Sequence, residues 1–254
     1  MALLFPTALH HQVAETIARK FAAHVDTVLI VNSCARGVAV PESDLDMALL
    51  LHRDSSAIEL EMRWNAMQVS DPLITQFRQS GRFMHVHLDF ITGVYMPQEL
   101  DDSGGPDSFE IEIGNQIAYA QPFKHEGAYF RQLKARWLPF YEADLRLPRL
   151  TMICSACLND IDHVPFFVRR ELYFQAFDRL YKAYQEFLQA LFIAKQVYPI
   201  AYNKWIREQV ERWLGWPELY RQLTGLLSIH DFESAELEQK ATLLQTLLVE
   251  WTGQ

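Results

Sequence analysis

The stretch from Leu29 to Leu51, LIVNSCARGVAVPESDLDMALLL, constrains this chain more than any other. The apolar run Val28 to Val31 reads as a buried strand. A short polar turn follows, carrying Asn32, Ser33, Arg36 and Gly37, and Asp44 comes eleven residues after Ser33. Ser43-Asp44-Leu45-Asp46 heads a second apolar run that ends near Leu51. Strand side chains alternate faces, so Asp44 and Asp46 share one side while Leu45, Met47 and Leu49 take the other. Two carboxylates side by side at the mouth of an apolar strand repel each other and are costly to desolvate. A divalent cation between them relieves that cost, and oxygen ligands of this type suit Mg²⁺.

This pattern resembles the signature of the nucleotidyltransferase superfamily, the DNA polymerase beta-like fold: a strand, a Gly-Ser turn, a short spacer, then Asp-x-Asp on the next strand. That family carries a third carboxylate on a later strand, and Asp89 in His85-Val86-His87-Leu88-Asp89-Phe90 is the matching position. The resemblance covers residues 26 to 92. One position departs from it: Asn32 stands where the family usually has Gly. Glycine favours close approach of backbone to phosphate, and Asn tolerates unusual backbone angles better than most residues. The resemblance implies that Asp44, Asp46 and Asp89 hold one or two Mg²⁺ ions and form the catalytic set, with Asp89 helping to deprotonate an acceptor hydroxyl. It also implies that Ser33 donates to a phosphate of a nucleoside triphosphate.

Arg36, in the same turn, reads either as a second phosphate contact or as a surface ion pair. The segment Tyr198 to Trp205, YPIAYNKW, looks like the Tyr-Pro…Lys-Trp stretch of nucleotidyltransferases that modify antibiotics of the aminoglycoside and lincosamide type. In those relatives the lysine approaches the nucleotide phosphates, which makes Lys204 the matching residue. Glu110 and Glu112 alternate with Phe109, Ile111 and Ile113, so both face away from the core. They read as solvated strand residues, with either one an alternative general base. His85, His87 and Asp89 share a strand face; the two His read as lining the other half of the cleft or facing solvent, with a substrate-lining role for His87 as one alternative and a transition-metal site as another.

The formal net charge of −9 argues against a general nucleic-acid binder, which carries basic stripes. The start, MALLFPTALHHQ, lacks the basic and long apolar regions of a signal peptide, and no apolar run approaches the ~20 residues of a membrane span. Three cysteines point to a reducing, cytoplasmic setting rather than a disulfide framework. Cys154 and Cys157 form a lone C-x-x-C beside Met152, Ile153 and Leu158, where free Cys packs as a small apolar residue.

Along the chain, apolar residues at intervals of four predict a helix over 7–24, and Ser55 or Ser56 caps another running to Met67. Asp71-Pro72 breaks that helix, and Phe83 to Tyr95 alternates as a strand. Pro97 to Ser108, PQELDDSGGPDS, reads as a loop at the active-site rim, and Phe109 to Phe123 as a strand or bent hairpin. Beyond Glu126 glycine thins out and the period shifts to 3.6, predicting helices at 128–140, 143–161, 165–196, 203–214, 217–227 and 232–251. With the resemblance, these elements imply an α/β (α+β) nucleotidyltransferase domain with a mixed sheet, residues 1–122. An all-α helical bundle, residues 123–254, follows and closes an acceptor and nucleotide cleft.

The expected reaction is metal-dependent transfer of a nucleoside monophosphate, most simply AMP from ATP, to a hydroxyl of a small molecule. Two alternatives stand beside it: a binding or regulatory module that has lost transfer activity, favoured only by Asn32, and a toxin–antitoxin type enzyme that modifies a protein. No membrane partner is expected, and homo-oligomerisation is left open.

Overall fold

Thr7 opens the first helix, its hydroxyl accepting the His10 N–H. Val13, Ile17 and Phe21 then recur on the buried face of α1 (Ala8–Phe21). The computed structural model describes residues 5–98 and 104–253. The chain continues through β1 (Val25–Ile30), a one-turn helix α2 (Asn32–Arg36) and β2 (Leu45–Leu51). Next come α3 (Ala57–Ser70), α4 (Pro72–Gln79) and β3 (Val86–Ile91). Ser56, one of the two serines offered as N-cap, caps α3 by accepting the Glu59 N–H, and at the expected break Asp71 caps α4 in front of Pro72.

The strands form one mixed sheet in the order β3-β2-β1-β4, where β4 is Gln121–Pro122. β1 runs antiparallel to β2 and to β4, while β2 and β3 are parallel. Helices α1, α3 and α4 supply Phe21, Leu60, Trp64, Ile74 and Phe77 to a core closed by Val28, Ile30, Leu45, Met47 and Leu49.

The expected strand over Phe109–Phe123 is not present. Its first half is α5 (Phe109–Ile113), continued by a π-helical turn over Gly114–Ala118, and only Gln121 and Pro122 join the sheet. Five residues of alternation are too few to separate a strand from a helical turn. A long-range ion pair decides the outcome: Glu110 is fully buried rather than solvated, and Arg149 binds it.

Helices dominate thereafter: α6 (Ala128–Trp137), α7 (Ala143–Val168), α8 (Tyr173–Lys195), α9 (Pro217–Leu226) and α10 (Glu236–Thr252). α7 runs through Pro148 and Pro165, so the break expected before Pro165 falls instead between Val168 and Tyr173. The helix expected over 203–214 is a π-helical stretch, Glu208–Trp213. This α/β domain with a mixed sheet and a helical C-terminal part is the expected fold class.

Two compact units divide the chain: Met1–Tyr95 with Glu112–Leu138, and Met96–Ile111 with Pro139–Gln254. A single cut at residue 122 therefore separates α6 from the sheet unit it belongs to. In that unit Asp26 of β1 caps α6, its carboxylate accepting the Tyr129 and Phe130 N–H groups at 3.1 and 3.0 Å. Burial would raise the Asp26 carboxyl, but these two amides and the Thr27 hydroxyl outweigh it and hold the group below its usual range. In the helical unit α7, α8 and α10 pack Ile153, Leu180, Phe187 and Leu244 into a second core.

Residues 99–103 of the expected rim loop lie outside the described residues. Its far end is tied into the helical unit. Gly105 N–H donates to Glu186, and Arg149 makes paired bonds to Asp107 at 2.9 and 3.1 Å.

Candidate active site at the head of strand β2

The site is built from the point where β2 leaves the loop. Leu45, Met47 and Leu49 fill the core from one face, and their burial sets the orientation of the strand. Asp44 and Asp46 consequently emerge together on the opposite face, both half-buried. Backbone bonds hold the strand head on either side, from Val31 N–H to the Asp46 carbonyl at 3.1 Å and from Leu45 N–H to the His85 carbonyl at 2.9 Å.

A buried residue of α1 anchors the approach. His10 Nε2 lies 2.9 Å from the Ser43 carbonyl, and Nδ1 lies 2.7 Å from the Thr7 hydroxyl. A carbonyl only accepts, so Nε2 carries the proton and, in the neutral ring, Nδ1 receives the Thr7 O–H. This positioning residue was not singled out in the sequence, where the only hint was a His within an otherwise apolar helix face.

The turn expected to hold phosphate sits against these acids. Asn32 has φ 54° and Gly37, which ends α2, has φ 71°. Both therefore occupy left-handed backbone, the conformation that glycine, and to a lesser degree asparagine, adopts at least cost. Ser33 is half-buried next to Cys34, whose sulfur lies 3.9 Å from the Asp44 carbonyl. Burial pushes the Cys34 thiol up to about 12, and the charges of Asp46 and Asp44 add to the effect. The thiol keeps its proton and is inert.

The parallel register between β2 and β3 decides which side chain completes the site. Asp46 pairs with His87, whereas Ala48 pairs with Asp89. Ligand atoms of Asp44, Asp46 and His87 all lie within 4.8 Å of one another, and His87 Nε2 is 3.5 Å from Asp44 Oδ2. Asp89 shares their face but stands two residues farther along, a step of roughly 6.6 Å, and is not a member of this group. Partial burial raises the Asp89 carboxyl above its usual range, with the neighbouring His87 opposing it.

An octahedral ion with bonds of about 2.1 Å sets its donors roughly 3 to 4 Å apart, so two carboxylates and one imidazole at these separations fit a divalent cation with slight closure.

Arg36 ends α2, and its charge opposes the burial that pushes the Tyr119 hydroxyl up to about 12. Lys204 lies in the helical unit with its side chain exposed, and its backbone carbonyl accepts from the Gln209 side-chain amide. Glu110 is corrected as a general-base alternative: its carboxylate is occupied by Arg149, Tyr141 and Gln189 at 2.6 to 2.8 Å, with no exposed surface. Glu112, on the neighbouring turn of α5, is half-buried rather than solvated on a strand.

No family model matches the chain, and comparison with curated proteins finds no match. Among solved structures it is similar to a nucleotidyltransferase-like protein from Exiguobacterium sibiricum 255-15. That similarity has a TM-score of 0.46 and 15% identity over 95% of this chain and 74% of the other. At that distance the likeness carries no argument about chemistry, which rests on the side chains at the head of β2. Among the described residues, no helix is long and apolar enough to cross a membrane.

Proposed function

We propose that this protein is a metal-dependent nucleotidyltransferase that moves a nucleoside monophosphate, AMP from ATP, onto a hydroxyl of a small molecule. The observation that carries this reading is the convergence of Asp44, Asp46 and His87 within 4.8 Å, next to the turn that holds Ser33. A divalent cation bound there would offset the triphosphate charge and the charge that develops on the attacking and leaving oxygens.

The remaining work belongs to side chains of this chain. Ser33 donates to a phosphate oxygen and Arg36 supplies a second positive contact. Asp89, close by and with a carboxyl raised by burial, accepts the proton of the acceptor hydroxyl. The acceptor oxygen bonds to the α-phosphorus as the α–β bridging bond breaks, and pyrophosphate leaves with the bridging electron pair. Positioning and charge stabilisation account for most of the rate in such transfers. Lys204 is proposed as a phosphate ligand on its sequence context alone. The same context supports an antibiotic-like acceptor, and the free, buried Cys34, Cys154 and Cys157 support a cytoplasmic setting.

The alternative of a degenerate binding module rests on Asn32, which keeps a Cβ where glycine would let the backbone approach a phosphate; its φ of 54° is one that glycine also adopts. Calorimetric titration with ATP, GTP and CTP in the presence of a divalent cation tests the proposal. Cation-dependent binding of a nucleotide that Asp44→Ala/Asp46→Ala abolishes is the expected result. Failure of the unmutated protein to bind any of the three would overturn it.

A further inference from the structure

We infer that the cation site is a mixed oxygen–nitrogen site in which His87, and not a third carboxylate, is the third ligand, and that it therefore selects Mn²⁺ over Mg²⁺. The inference rests on the metal-dependent reading above and extends it to the identity of the ion. Parallel pairing sets Asp46 beside His87 and leaves Asp89 beside Ala48, one pleat period away. The His87 ring already turns its Nε2 toward Asp44, at 3.5 Å, with the His87 side chain 60% exposed and the Asp44 side chain 40% exposed. Both groups are thus accessible to an ion from solvent, and neither is held by the core.

The donor set has two consequences. An imidazole in place of a carboxylate lowers the negative charge around the ion by one, which weakens the electrostatic term on which Mg²⁺ depends. It also introduces a nitrogen donor, which first-row transition ions accept readily and Mg²⁺ takes poorly. Mn²⁺ combines tolerance of imidazole with the preference for carboxylate, phosphate and water oxygens that a triphosphate site requires. Zn²⁺ also accepts carboxylate and imidazole donors, so it enters the test as a competitor and is not excluded by the donor set.

The test is Mn²⁺ binding to the full chain without nucleotide, followed by electron paramagnetic resonance, with Mg²⁺ and Zn²⁺ as competitors. Because outer-sphere partners alone change metal affinity 10–100-fold, a lost ligand should cost at least about tenfold. The expected result is Mn²⁺ affinity at least about tenfold above that for Mg²⁺, with nitrogen hyperfine coupling on the bound ion. His87→Ala should remove the coupling and about tenfold of the Mn²⁺ affinity. His87→Asp should bring the Mn²⁺ to Mg²⁺ ratio close to one, and Asp89→Ala should leave both coupling and ratio in place.

Unchanged Mn²⁺ affinity in His87→Ala, a larger loss in Asp89→Ala than in His87→Ala, or a site that takes only Zn²⁺ would each overturn the inference. Circular dichroism separates these results from unfolding of a variant. Nitrogen-coupled Mn²⁺ in a protein that binds no nucleotide would sink the transferase reading while leaving this inference standing.

Discussion

At the scale of single residues, backbone angle and burial decide more than residue type. Asn32 at φ 54° sits where a β-branched side chain is strained by roughly 1–2 kcal/mol and glycine is not. Asn32→Gly is expected to leave the urea midpoint within error and to preserve nucleotide binding. Asn32→Val should lower stability by about 1–2 kcal/mol and weaken binding through the displaced Ser33. Glu186, fully buried in the helical unit, shows the same dependence on context. Burial, reinforced by Asp160, raises its carboxyl to about 8 from 4.5, with the Gly105 amide opposing. The folded state therefore binds this proton more tightly than the unfolded chain does. The associated stability is fully present below pH 4.5 and declines as pH rises toward about 8. Thermal melts between pH 5 and 9 should show that decline, and Glu186→Gln, which keeps an acceptor for Gly105, should flatten it.

At the scale of elements, α5 shows why a short alternating run misleads. FEIEI satisfies a two-residue period as well as one helical turn, and nothing local marks Glu110 as buried. Its burial depends on Arg149, 39 residues away on α7, which also binds Asp107 and stacks over the Phe109 ring at 4.7 Å. Removing the cation would leave two buried carboxylates without a compensating charge, so Arg149→Ala is expected to cost on the order of 3–5 kcal/mol in chemical denaturation. A well-folded Arg149→Ala protein with an unchanged midpoint would refute the assignment. The opposite case is α3, where Ser56 and the helix it caps were both readable because the capping bond spans three residues.

At the scale of the whole molecule, the compact units do not follow the order of the chain. α6 belongs with the sheet, where Asp26 caps its first turn and Phe130, Leu133 and Trp137 are buried. A chain ended after residue 122 loses all three side chains, each contributing roughly 1.5–3 kcal/mol. It is expected to be far less soluble and less cooperative in unfolding than one ended after residue 138. Equal behaviour of the two truncations, measured by expression and urea melts, would count against this division.

The sequence by itself determined that Asp44 and Asp46 share one face, that a polar turn precedes them, and that helices fill the second half of the chain. Each of these depends on spacing within a few residues of one strand or helix, where the two-residue and 3.6-residue periods act directly. Only the tertiary structure decided that His87 rather than Asp89 meets the two acids, because strand register is a property of the pair β2–β3 and not of either strand. It likewise decided that Glu110 is sealed in an ion-pair network and that His10 steadies the approach to Asp44, since both depend on partners more than thirty residues away.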